Sequence, residues 1–202
     1  MRYARGIAAV LAALGVAASA PAEVVRETDP ETGLVSWRWQ GEALSLELVQ
    51  RLPDQSRAFF LGRGFERDNS DAIAAACIFQ TILRNEASGE GGPTLRVDLN
   101  EWRVVRNEKA VPPRLEKQWE PRWEETGASQ AARVAFRWSL FPSRQQFEPG
   151  DYNWGMIPFG PGPGERFDLR IVWHEDGETR RGVMRDLRCA PDVADPRKEE
   201  PK

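Results

Sequence analysis

The stretch from Arg166 to Cys189, RFDLRIVWHEDGETRRGVMRDLRC, decides the fold. Phe167, Leu169, Ile171 and Trp173 alternate with Asp168, Arg170, Val172 and His174. A period of two is the signature of a strand with one buried face. Asp176-Gly177 then supplies two residues that tolerate the positive φ of a tight hairpin turn. The return strand carries Val183, Leu187 and Cys189. In this register Glu175 faces Glu178, His174 faces Thr179, and Met184 faces Leu169.

The same period recurs outward from this hairpin. Val35, Trp37 and Trp39 form one face of a strand over 34–40, and Leu44, Leu46 and Leu48 one face of a strand over 43–50. Gly41-Glu42 between them reads as a turn. Pro53-Asp54 starts a short helix carrying Phe59, Phe60 and Leu61, stopped near Gly62 and Gly64. Ser70 or Asp71 caps one or two helical turns that give way to a strand ending near Asn85. Leu95, Val97 and Leu99 alternate in a strand reaching Val105. Residues 110–127 read as irregular or weakly helical, because Pro113 and Pro121 limit a helix there. Ala132, Val134, Phe136, Trp138 and Leu140 predict the clearest strand in the chain. Residues 148–165 read as a Gly/Pro-rich loop. The expectation is a mainly β fold of about seven strands: an antiparallel β-sandwich, immunoglobulin-like in the broad sense, with one or two short helices. It occupies residues 34–190, after a polar lead-in at 23–33 and before a disordered charged tail at 191–202.

Residues 1–22 read as a secretory signal peptide. Arg2 and Arg5 precede the apolar run from Ile7 to Ala20, which is too short to span a bilayer, and cleavage is expected after Ala22. An exported chain with two cysteines, Cys77 and Cys189, is expected to join them in a disulfide. Arg far outnumbers Lys, and Ala, Gly and Pro are plentiful, which fits a GC-rich bacterial genome and a periplasmic location. The whole chain has 202 residues, 28 Lys+Arg against 31 Asp+Glu, and a net charge of −3. Without a basic block it is not expected to bind nucleic acid, which requires clustered cations against phosphates. Neither is a membrane span expected.

Chemistry is sparse in this sequence. His174 is the single imidazole, and on its strand it is expected to face solvent. Asp68-Asn69-Ser70-Asp71 suits helix capping better than calcium. Tryptophan is the unusual residue, eight against two tyrosines. Trp37, Trp39, Trp138 and Trp173 fall at alternating strand positions and read as core. Trp119, Trp123 and Trp154 lie outside clear strands and read as ligand candidates. The segment 147–156 is the candidate binding site, with Asp151, Tyr152, Asn153, Trp154 and Met156 on a loop held by a rigid sandwich. The expectation is an exported, non-enzymatic binding or accessory module for a protein or a small ligand, without a cofactor. One alternative is a periplasmic copper-handling factor using Met156, Met184 and His174, with the Cys77–Cys189 pair as an optional further donor. Another is a carboxylate-based hydrolase.

Overall fold

The computed structural model describes residues 23–89 and 91–192. The expected signal peptide at 1–22, and the expected tail at 191–202 beyond its first two residues, lie outside the described residues. The element order is β1 (Glu23–Thr28), β2 (Val35–Gln40), β3 (Leu44–Gln50), α1 (Pro53–Leu61), α2 (Arg67–Ala74), β4 (Ile78–Asn85), β5 (Leu95–Asp98), β6 (Arg103–Arg106), β7 (Lys109–Val111), α3 (Glu120–Thr126), α4 (Gln130–Ser139), β8 (Arg144–Phe147), β9 (Tyr152–Pro158), β10 (Arg166–Glu175) and β11 (Glu178–Arg188).

Two antiparallel sheets form the sandwich. The first runs β1-β2-β3-β4-β9. In the second, β5 and β6 lie end to end along one side of β10, β11 pairs with β10 along its length, and β7 and β8 extend the sheet. Between the sheets, Trp37, Trp39, Leu46 and Phe79 meet Val97, Trp102, Leu169 and Ile171. A second apolar cluster covers part of the outer face of the first sheet. Phe60, Phe65 and Ile73 pack there with Trp119, Trp123 and Phe136, over Ile78 of β4 and Met156 of β9. The fold is thus a β-sandwich carrying four short helices, where one or two were expected. Cys77, just before β4, and Cys189, just after β11, form the expected disulfide across 112 positions, so one covalent bond links the two sheets.

The 166–189 hairpin has the register read from the sequence: Glu175 opposite Glu178, His174 opposite Thr179, Leu169 opposite Met184. The largest correction is at 132–140, which is helix α4. Ser129 accepts the N–H of Ala132 as an N-cap, and only Ala132 and Phe136, four apart, are buried. A set of alternating apolar residues contains an i, i+4 set, so 132, 136 and 140 fit both periods. Trp138 separates them, and it is 82% exposed.

Other corrections follow from pairing over distance. The polar lead-in at 23–33 begins with β1, which pairs along the whole of β2. The expected strand from Leu95 to Val105 is divided by a 3-10 turn at Leu99–Glu101, which inserts three residues into the register against β10. An odd insertion exchanges the faces, so Leu95 and Val97 are buried before it and Trp102 and Val104 after it. In β11 a bulge at Arg185-Asp186 does the same. Met184 therefore lies in the core, whereas Val183, expected with Leu187 and Cys189, points outward. Within 110–127, Pro121 sits in the first turn of α3, where its missing N–H costs nothing, so it starts the helix. The Gly/Pro-rich segment 148–165 contains β9.

Candidate functional site

The candidate segment starts at the turn between β8 and β9. The backbone N–H of Glu148 donates to Asp151 Oδ2 at 2.9 Å, and Gly150 takes a φ of +84° that favours glycine. Asn85, buried at the end of β4, clamps this turn. Its amide nitrogen donates to the carbonyls of Pro93 at 2.8 Å and Phe147 at 3.1 Å, and its side-chain oxygen accepts from Ala87 N. Its own N–H donates to the Asp151 carbonyl, and its carbonyl accepts from Gly150 N. The turn is fixed by hydrogen bonds, not left as a free loop.

From Tyr152 the chain runs as β9, paired with β4 over seven residues and forming one edge of the first sheet. Successive side chains alternate between faces. Asn153, Gly155 and Ile157 point toward the inter-sheet side. Gly155 passes so close to the Leu140–Phe141 backbone that a Cβ would stand 2.5 Å from Phe141 N. Tyr152, Trp154 and Met156 point to the outer face, where Met156 disappears under the helices. The helical layer stops there. Tyr152 and Trp154 remain 58% and 64% exposed, beside Arg84 and Ile82 of β4. The Arg84 guanidinium carbon lies 4.8 Å from the centre of the Tyr152 ring. Asn153 braces the edge: its amide nitrogen donates to Gln145 Oε1 at 2.5 Å, and its oxygen accepts the Trp154 N–H at 2.7 Å. A ladder donor on an edge strand is thereby satisfied within the chain.

The seven predicted binding residues thus divide three ways. Tyr152 and Trp154 are displayed, and Asp151 and Asn153 hold the turn and the edge. Met156, Trp119 and Trp123 are buried together in the helical cluster. The reading of Trp119 and Trp123 as ligand platforms is corrected. Their rings stack at 5.3 Å with an interplanar angle of 14°, Trp119 Nε1 donates to the Arg114 carbonyl, and both are at most 1% exposed. The sequence missed Trp138, read as a core strand residue. Only the Ser129 cap and the alanines around it signalled the helix that turns its ring outward.

His174 does not face open solvent. The Leu99–Glu101 turn overhangs it, with Glu101 Oε2 at 2.7 Å from Nε2 and Thr179 Oγ1 at 3.2 Å from Nδ1. The copper alternative needs Met156, Met184 and His174 together, and they lie apart. Met156 is in the helical cluster, Met184 is between the sheets, and His174 is at the Glu101 turn. Among the described residues no group of three or more His, Cys, Asp or Glu is placed to hold a metal ion. In the 68–71 segment, Asn69 bonds Thr126 and Arg122, and Asp71 bonds Arg57, so these side chains join helices.

No protein-family model, curated protein or solved structure matches the chain.

Proposed function

We propose that the chain is an exported, non-enzymatic binding module whose partner meets the open end of the outer sheet face at Tyr152 and Trp154. One observation carries this reading: two large aromatic side chains stand more than half exposed on a strand whose backbone is paired with β4 along its whole length. Tyr, Trp and Arg are the residue types that dominate binding energy at protein interfaces, and Tyr152, Trp154 and Arg84 stand together here. An open sheet face suits a protein surface better than a small molecule, which needs a concavity. Rigid aromatics lose little side-chain entropy when they are covered. Export is supported by the signal-like leader and by a disulfide suited to an oxidising compartment. No helix of the described residues is long and apolar enough to cross a membrane.

The test is secretion of the full chain from a bacterial host, followed by photo-crosslinking from position 152 in periplasmic extract. The exported protein is expected to begin at Glu23. The partner captured by wild type should bind Trp154→Ala about tenfold or more weakly, with unchanged thermal unfolding. Equal affinity of wild type and Trp154→Ala for that partner would refute the reading.

A further inference from the structure

At the far end of β9 from Tyr152, some seven residues and ~20 Å along the strand, the segment after β7 crosses the exit of β9. Together they flank an open cleft of about 630 Å³. Its floor rests on the buried Val104, Pro113 and Phe159, and its open apolar surface comes from Pro112 and from Val111, which is 51% exposed. Its charged lining residues are Arg106, Lys109 and Arg114, and no carboxylate lines it. The volume is that of a small-molecule site.

The two ends of this positive set differ. Arg106 is neutralised by Glu165, which takes both guanidinium nitrogens at 2.5 Å. Arg114 is not. Its backbone is fixed, because its N–H donates to the Pro158 carbonyl at 2.9 Å and its carbonyl accepts from Trp119 Nε1 at 3.1 Å. Its guanidinium carbon lies 3.8 Å from the centre of the Trp119 ring. Among the described residues it makes no ion pair and no side-chain hydrogen bond, and Lys109 makes no ion pair. Partial burial, then repulsion from Arg122, pushes the Arg114 pKa down. Arg122 offers no relief, since it bonds only Asn69 Oδ1 and the Asp68 carbonyl. The Trp119 ring takes one face of the guanidinium but accepts none of its N–H groups, so these donors remain free for an anion. In a chain of net charge −3 this local excess of cations runs against the overall sign.

We propose that this cleft binds a small amphipathic carboxylate, its apolar body on Val111 and Pro112 and its head group on Arg114 and Lys109. The planar guanidinium fork matches a carboxylate in two parallel hydrogen bonds, and one ammonium beside it completes the pairing of a single head group. This site is separate from the Tyr152–Trp154 surface and does not depend on the function proposed for that surface.

Titration of the full mature chain with decanoate, decan-1-ol and decyl phosphate by calorimetry and ligand-observed NMR tests it. Decanoate is expected to bind saturably, at one site, about tenfold or more tightly than either comparison compound. Arg114→Gln should weaken decanoate about tenfold, Lys109→Gln by a smaller factor, and Trp154→Ala not at all. Lys109 lies on an exposed hairpin, so its variant folds even if Arg114→Gln does not. Three results would overturn the assignment: no saturable decanoate binding, equal binding of the alcohol or the phosphate, or full affinity in Lys109→Gln and Arg114→Gln.

Discussion

Replacing Cys77 and Cys189 together by alanine is expected to lower the unfolding free energy by about 4–5 kcal/mol, the value the chain-entropy model gives for so long a loop. The bond spans 112 positions and joins the lead-in to β4 with the exit of β11, so it restrains most of the unfolded chain. Alanine is the suitable replacement because both positions are buried, at 5% and 0% exposure, and serine would add two buried hydroxyls. A domain of this size is stable by only about 5–15 kcal/mol, so the loss is a large share of the whole. Urea unfolding should show a lower midpoint for the double variant. It should also show a steeper denaturant dependence, because the uncrosslinked chain exposes more surface when it unfolds. Wild type in reducing buffer should move in the same direction. Coincident unfolding curves with and without reductant would contradict this account.

The disulfide is also where sequence reasoning reached furthest. Two cysteines in a chain expected to be exported leave one pairing, and the bond is present. The 166–189 hairpin was equally legible, because Asp176-Gly177 fixes the turn and the turn fixes the register by counting outward. Counting fails where residues are inserted. The Leu99–Glu101 turn and the Arg185-Asp186 bulge each insert an odd number of residues. The two sides of each insertion are therefore out of phase, so one alternation cannot be carried across it. Trp102 and Val104 are buried after the first. Val183 points outward on the turn side of the second, while Leu187 and Cys189 are buried beyond it. Helix α4 was misread for a different reason. Ala132 and Phe136 satisfy both periods, and the choice is made by the Ser129 cap and by the cluster into which α4 packs. The candidate site was legible as a segment but not as an arrangement. That residues 151–156 hold exposed aromatics was readable. That they lie on an edge strand clamped by Asn85 was not, since Asn85 is more than sixty positions away from its partner Phe147. The Arg114 cleft left no local trace at all. Whether a given arginine finds a carboxylate depends on which of 31 acids the fold brings near it.

The tryptophans make this dependence measurable. Trp119→Ala is expected to destabilise the protein by about 3–5 kcal/mol, as for other large aromatics removed from a packed interior. Trp119 is 0% exposed, stacks on Trp123, meets Phe136 edge-on at 5.5 Å, and carries the Arg114 guanidinium on its ring. Its removal opens a cavity between α3, α4 and the sheet, and leaves the Arg114 carbonyl without its Nε1 donor. Trp138→Ala and Trp154→Ala remove side chains of the same size that are 82% and 64% exposed. They should change stability by no more than about 0.5 kcal/mol, the usual range for surface positions. Local sequence ranks these residues in the opposite order, with Trp138 in a strong alternating pattern and Trp119 among prolines in irregular chain. Urea midpoints for the three variants under one condition decide between the two orders. A Trp138→Ala variant less stable than Trp119→Ala would mean that 130–139 packs as a strand after all, and the helical layer would fall with it. The expected order ties the helical cluster to the first sheet as a structural layer. It leaves Trp154 free to be covered by something other than the chain itself.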